Sequence, residues 1–297
     1  MGALVAGGFS DSSLKVWDMS KIGQPTNTSS LEGENGSAQN EHLVGPDERR
    51  KSYTLFQGHA GPVYSATFSP LGDFLLSSSS DSTIRLWSTK LNANLVCYKG
   101  CNYPVWDVQF SPVGHYFASA SHDRTARVWS MERMQPLRIM AGHLSDVDCV
   151  QWHINCNYIA TGSSDKTVRL WDVQTGECGR IFIGHRSMVI SLAMSPDGRY
   201  MASGDEDGTI MMWDLSSGRC VSPLTGHSSC VWTLAFSCEG TLLASGSADC
   251  TVKLWDVTSS TKALKVDEKQ QRKQCKQAQI TESPSNQVYS SLFVAVF

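Results

Sequence analysis

Serine, histidine and aspartate, the side chains of a hydrolytic triad, lie close together in the sequence at His59, Ser77 and Asp81. Brought into contact, such a set could relay a proton and activate a hydroxyl for acyl transfer. Equivalent sets return at His143, Thr161 and Asp165, at His185, Ser203 and Asp207, and at His227, Ser245 and Asp249. A further copy holds Ser119 and Asp123, but Cys101 stands where its histidine should be. Every copy ends on a tryptophan, and Trp87, Trp129, Trp171, Trp213 and Trp255 follow one another at intervals of 42 residues. A nucleophile has no reason to recur at constant spacing, and no Gly-x-Ser-x-Gly elbow is present. The sets are therefore read as structural hydrogen-bonded tetrads, and no catalytic residue or cofactor site is expected. A metal at Cys101 would have only His115 and His122 nearby, at spacing unsuited to convergent ligation. The ten cysteines include no Cys-x-x-Cys pair, which favours reduced thiols.

Four short strands per unit must position these side chains. In the unit of Trp87 they read VYSATFS (63–69), FLLSSSS (74–80), TIRLWST (83–89) and NLVCYK (94–99), separated by turn residues. Short β-branched and aromatic runs with regular turns predict an all-β fold. A four-stranded unit of this length, repeated, predicts a β-propeller, whose sheets stack radially and bury both faces on their neighbours. The unit before it is incomplete: LVAGG (4–8) and SLKVWD (13–18) match its second and third strands, with Gly7 at the hydroxyl position, and SYTLFQ (52–57) matches the fourth.

The segment GH…SPDGRYMASGDEDGTIMMWD (184–214) and its sister copies resemble WD40 repeats, over roughly residues 1–266. The resemblance implies a WD40 β-propeller with five complete blades and an incomplete first one, six recognisable in all, where the family's full-length members have seven. It also implies that each His, Ser/Thr, Asp and Trp set locks the strands of one blade. Cys101 then reads as a substituted histidine, which weakens its blade unless Asn102 or His122 fills the gap. Within this family, the wording of 103–130 and 135–173 and the long insert after Trp17 are similar to the WD40-bearing TBP-associated factors of the general transcription factor TFIID. Those factors carry histidine at the Cys101 position and proline at the Ile154 position. The resemblance implies a nuclear, non-catalytic scaffold acting in assembly of the RNA polymerase II preinitiation complex. It implies partners among the histone-fold TBP-associated factors and other TFIID subunits. A SAGA-type coactivator subunit and a peptide-reading adaptor for a ubiquitin ligase or a signalling pathway are the alternatives.

The family pattern places three residue columns near the mouth of the ring. From these, Tyr64, Trp106, His122, Asp148, Met188, Ile190, Glu206 and Trp232 are the expected partner-binding residues, since aromatics and methionine suit protein hot spots. The net charge of −3 and pI near 6.2 leave no basic footprint for direct nucleic-acid binding. No apolar run is long enough to span a membrane as a helix. Outside the repeats, the Ser-, Asn- and Gly-rich stretch 21–50 reads as a disordered insert in the first blade. Residues 267–285 read as a polar linker. The β-prone tail 286–297 contains VYSSLF, close to the VYSATF of 63–68, and could supply the strand that the first blade lacks and so close the ring.

Overall fold

A computed structural model describes residues 4–21 and 53–257. The expected insert beyond Lys21, the 267–285 linker and the ring-closing tail of 286–297 lie outside the described residues.

The described chain forms six antiparallel sheets in sequence order. The second comprises Val63–Phe68, Phe74–Ser79, Thr83–Ser88 and Ala93–Lys99. The third comprises Val105–Phe110, Tyr116–Ser121, Thr125–Ser130 and Arg138–Ala141. The fourth comprises Val147–Trp152, Tyr158–Ser163, Thr167–Asp172 and Cys178–Ile183, and the fifth Val189–Met194, Tyr200–Asp205, Thr209–Asp214 and Cys220–Thr225. The two end sheets have three strands each among the described residues. The first holds Leu4–Gly8, Ser13–Asp18 and Tyr53–Gln57, without a first strand, and the sixth holds Val231–Phe236, Leu242–Ser247 and Val252–Asp256. A short 3-10 turn, Met19–Lys21, follows the first sheet's second described strand.

Burial explains the composition of each strand. The second strands of the inner sheets are covered on both faces by neighbouring sheets, so Ser77, Ser78 and Ser79, like Ala118, Ser119 and Ala120, are small and almost wholly buried. The fourth strands lie outermost and keep one apolar anchor each, in the column Phe56, Tyr98, Met140, Phe182 and Leu224. The core lies between sheets rather than within one. Leu76, Ile84 and Tyr98 of the second sheet join Val108, Phe117 and Trp129 of the third in one cluster. Cys149, Val168 and Phe182 of the fourth join Val189, Met201 and Trp213 of the fifth in another. Each such side chain contributes about 1.5–3 kcal/mol by leaving water, so no sheet is stable without the next. This is the propeller architecture.

Candidate functional site

At one end of the sheets the tetrads take shape. Trp87 Nε1–H donates to Ser77 Oγ at 2.8 Å, Ser77 Oγ lies 2.7 Å from His59 Nε2, and His59 Nδ1 lies 3.0 Å from Asp81 Oδ2. Indole is a donor only, so the serine hydroxyl must pass its proton toward Nε2, and Nδ1–H must point at the carboxylate. The chain Trp171, Thr161, His143, Asp165 repeats this with 2.8, 2.7 and 2.8 Å, as does Trp255, Ser245, His227, Asp249. The five hydroxyl residues are at most 1% exposed, which leaves no substrate access to any of them.

Two copies depart from the expected pattern. In the fifth sheet His185 Nδ1 meets Asp205 Oδ2 at 2.8 Å, while the expected Asp207 is exposed and outside the set. The other repeats carry serine at the Asp205 position, and Ser79, Ser121, Ser163 and Ser247 each donate to a carbonyl of the preceding loop. A carboxylate cannot donate, so Asp205 accepts from the imidazole Nδ1–H instead; Ser203 still accepts from Trp213 at 2.7 Å.

In the third sheet neither Asn102 nor His122 replaces the missing histidine. Arg127 does: its Nη2 pairs with Asp123 Oδ2 at 2.7 Å and its Nη1 donates to Cys101 Sγ at 3.4 Å. Burial pushes the Cys101 thiol up to about 11, above the opposing pull of Arg127, so it is no thiolate nucleophile. Trp129 Nε1 still donates to Ser119 at 2.9 Å. Arg127→Ala should therefore cost about 3–4 kcal/mol in a denaturant melt, because it leaves Asp123 as an unpaired buried charge. Cys101→His should gain little while Arg127 holds the site; a gain above about 1 kcal/mol would show that the arginine is a poor substitute.

The tetrad aspartates of the second and fourth sheets are acid-sensitive. Burial alone would raise Asp81, but the donors on His59, Thr83 and the Ala60 N–H outweigh it and hold the carboxyl well below its ordinary range. Against the same burial, Thr167, the Leu144 N–H and His143 hold Asp165 at about 2. Burial in turn pushes His143 down, against the pull of Asp165, which keeps the ring neutral.

The same end of the ring carries the expected mouth. Every complete first strand has a register shift at the residue after its valine, between Val63 and Ser65, Val105 and Asp107, Val147 and Cys149, Val189 and Ser191, and Val231 and Thr233. A β-bulge leaves its extra residue unpaired and re-aims it. The bulged residues are Tyr64, Trp106, Asp148, Ile190 and Trp232. A backbone hydrogen bond also joins the residue before each valine to the residue before the turn aspartate, as in His122 N–H to Pro104 O at 3.0 Å and Glu206 N–H to Met188 O at 3.0 Å. The three columns therefore meet.

Over the second to fourth sheets they form one patch. Tyr64 and Trp106 stand 4.8 Å apart by ring centroids, and His122 lies 6.2 Å from Trp106. His122 Nδ1 lies 2.5 Å from Asp146 Oδ2, and Asp148 accepts from Ser164 Oγ at 2.7 Å. On the remaining sheets Trp232 is 44% exposed, Met188 and Ile190 are half-buried, and exposed Glu206 accepts from Ser187 Oγ at 2.9 Å. Tyr103 and Asp146, absent from the expected residues, complete the patch, with Tyr103 5.7 Å from His122. At the opposite end, an open cavity of about 290 Å³ lies among Phe68, Phe110, Trp152 and Met194, with no ionisable group in its lining.

Asp148 is raised to about 7, chiefly by burial and also by the nearby charge of Asp146, with the Ser164 hydroxyl opposing. A carboxyl raised by folding stabilises the fold fully below its unfolded value near 4, and that contribution is lost as pH rises through 7. Asp148→Asn is thus expected to be more stable than the parent at pH 8.5, by on the order of 2 kcal/mol, with no gain at pH 4. Thermal melts at the two pH values check this; an equal effect at both would rule the charge out as the cause.

Asp107 was not singled out by the tetrad pattern, yet its carboxyl joins three sheets through their first strands. Its Oδ1 accepts from Ser65 Oγ of the second sheet at 2.7 Å and from its neighbour's Val108 N–H at 2.8 Å, and its Oδ2 accepts from Val150 N–H of the fourth sheet at 3.0 Å. The signal was an acid inside the apolar strand VWDVQF, in a column otherwise held by Ser65, Cys149, Ser191 and Thr233.

The family model of the WD domain, G-beta repeat, matches residues 50–88, 93–130, 134–172, 176–214 and 218–256. The chain is 80% identical over 98 residues to "Transcription initiation factor TFIID subunit 5" of Arabidopsis thaliana, across 33% of this chain and 14% of that protein. It is 47% identical over 99 residues to the protein of the same name in Drosophila melanogaster, across 32% of this chain and 14% of the relative. It is also 47% identical over 97 residues to "SAGA complex/transcription factor TFIID complex subunit Taf5" of Schizosaccharomyces pombe, across 32% of this chain and 12% of the relative. The matched stretches thus span about an eighth to a seventh of these relatives' lengths. With five matched repeats over more than half its length, and six sheets wound in sequence order, the chain belongs to the WD40 repeat family.

Proposed function

We propose that the chain acts as a non-catalytic docking subunit of a TFIID-type assembly, in the nucleus, and that its partners are histone-fold TBP-associated factors and other subunits of that assembly. The observation that carries this reading is the 80% identity over 98 residues to a protein named as TFIID subunit 5. Buried hydroxyls in every Ser–His–Asp set speak against hydrolysis, since a nucleophile needs an open approach for its substrate. The bulge residues at the mouth, with two tryptophans and a tyrosine among five, provide a contact surface of the kind protein interfaces favour. Affinity purification of the tagged 297-residue chain from nuclear extract, with mass spectrometry, tests the proposal. Recovery of TBP together with histone-fold factors is expected. Their absence above a mock purification, with a folded chain on the resin, would overturn it.

A further inference from the structure

We propose that the mouth over the second to fourth sheets receives a basic segment of a partner protein, with Asp146 and Asp148 taking an arginine or lysine head group and the Tyr64–Trp106 pair lying along its stem. The inference rests on reading the ring as a docking platform and adds the chemistry of what docks.

The patch combines two features that together select a cation. Its aromatic side is the Tyr64–Trp106 pair, held 4.8 Å apart at two adjacent bulges, with Tyr103 behind His122. Aromatic faces attract guanidinium and ammonium groups, and most strongly where water is partly excluded. Its polar side carries two carboxylates on neighbouring positions of one loop and strand. Asp148 is half-buried, and its hydrogen-bond partner, Ser164, is neutral. No lysine or arginine among the described residues pairs with either acid; Asp146 has only His122. Arg124, Lys166 and Arg186 stand on turns at the same end but are exposed and make no ion pair among the described residues. A half-buried carboxyl beside a second acid and without a cation is an incomplete pair.

A third feature favours a peptide over a free cation. Trp106 Nε1 is buried without a hydrogen-bond partner among the described residues. Buried indole N–H groups ordinarily find an acceptor. A small rotation of the ring would aim this one at a backbone carbonyl of the bound segment while Asp148 holds its side chain. An acidic segment or a phosphate would face Asp146 and Asp148 together, and like charges across an interface repel.

The test uses the full chain and a fluorescein-labelled peptide of alternating glycine, arginine, glycine and serine, with a glutamate-for-arginine peptide beside it. Fluorescence anisotropy should show the basic probe binding at least about tenfold more tightly than the acidic one. Asp148→Asn and Asp146→Asn should each weaken it about three- to tenfold, whereas Asp197→Asn, the same charge change at the opposite end of the ring, should leave it unchanged. Trp106→Ala should weaken it comparably; if that variant fails to fold, the two Asn variants decide. Equal binding of both peptides, or indifference of the basic probe to both Asn variants, overturns the site. A chain that recovers TFIID subunits but ignores the basic peptide keeps its scaffold role and loses this site. One that binds the peptide at these residues but recovers no such subunits keeps the site and loses the assembly assigned to it.

Discussion

Asp107→Ala is expected to lower the stability of the chain by about 3–5 kcal/mol, the largest loss of any single polar substitution in the ring. The carboxylate ties three consecutive sheets at their innermost strands, through Ser65 on one side and Val150 N–H on the other. Removing it leaves a hydroxyl and two backbone N–H groups buried without acceptors. Burial pushes the Asp107 carboxyl up, ahead of the donors on Val150, Ser65 and Val108, so the group is itself held under tension. That makes the isostere informative. Asp107→Asn keeps one acceptor oxygen for Ser65 and Val108, yet turns an amide N–H toward the Val150 N–H. An intermediate loss of about 1–3 kcal/mol is expected. Chemical denaturation of the three proteins checks both values. A loss below about 1 kcal/mol for alanine would mean that the sheets hold together by apolar packing alone at the centre.

The second large effect separates two aspartates that the repeat cannot tell apart. Asp205→Ala should cost about 2–4 kcal/mol, because His185 Nδ1–H and Thr209 N–H lose a fully buried acceptor. Asp207→Ala should stay within about 0.5 kcal/mol, as exposed positions usually do. Asp205→Ser restores the residue found in the sister repeats, and its cost should be smaller because Asp207 can then turn inward to the histidine. In that background Asp207 becomes essential, so Asp205→Ser/Asp207→Ala should unfold as readily as Asp205→Ala. Thermal melts of the four variants settle the assignment. If Asp207→Ala proved the costlier single change, Asp207 and not Asp205 would be the partner of His185.

These two cases also show what could be read from the residues in order. The propeller fold was legible because the complete repeats carry the same buried columns at one period. Strands in the second unit fell within a residue or two of those expected, and the fourth strand of the first blade began at Tyr53 where SYTLFQ was expected to supply it. The departures were not legible, because each is a choice among side chains made in three dimensions. Asp205 and Asp207 lie two residues apart on one turn, and only the missing donor at position 205 decides between them. Arginine stands at the same strand position in three consecutive sheets. Arg85 reaches Asn94 at 3.4 Å and Arg169 lies over Trp171 at 6.0 Å, whereas Arg127 pairs with the tetrad aspartate Asp123, where Cys101 stands in the histidine's place. Repetition reveals what all copies share and conceals how one of them compensates for a loss.

The bulge in each first strand has a consequence for how such a ring can change. The extra residue sits outside the ladder, so its side chain is exempt from the alternation that governs every other position of the strand. Tyrosine, tryptophan, aspartate, isoleucine and tryptophan occupy the five places, yet the register on either side is the same. The face that these five residues form can therefore be rewritten one side chain at a time while the frame beneath it stays constant. A lineage of such rings could exchange partners without ever passing through an unfolded ancestor.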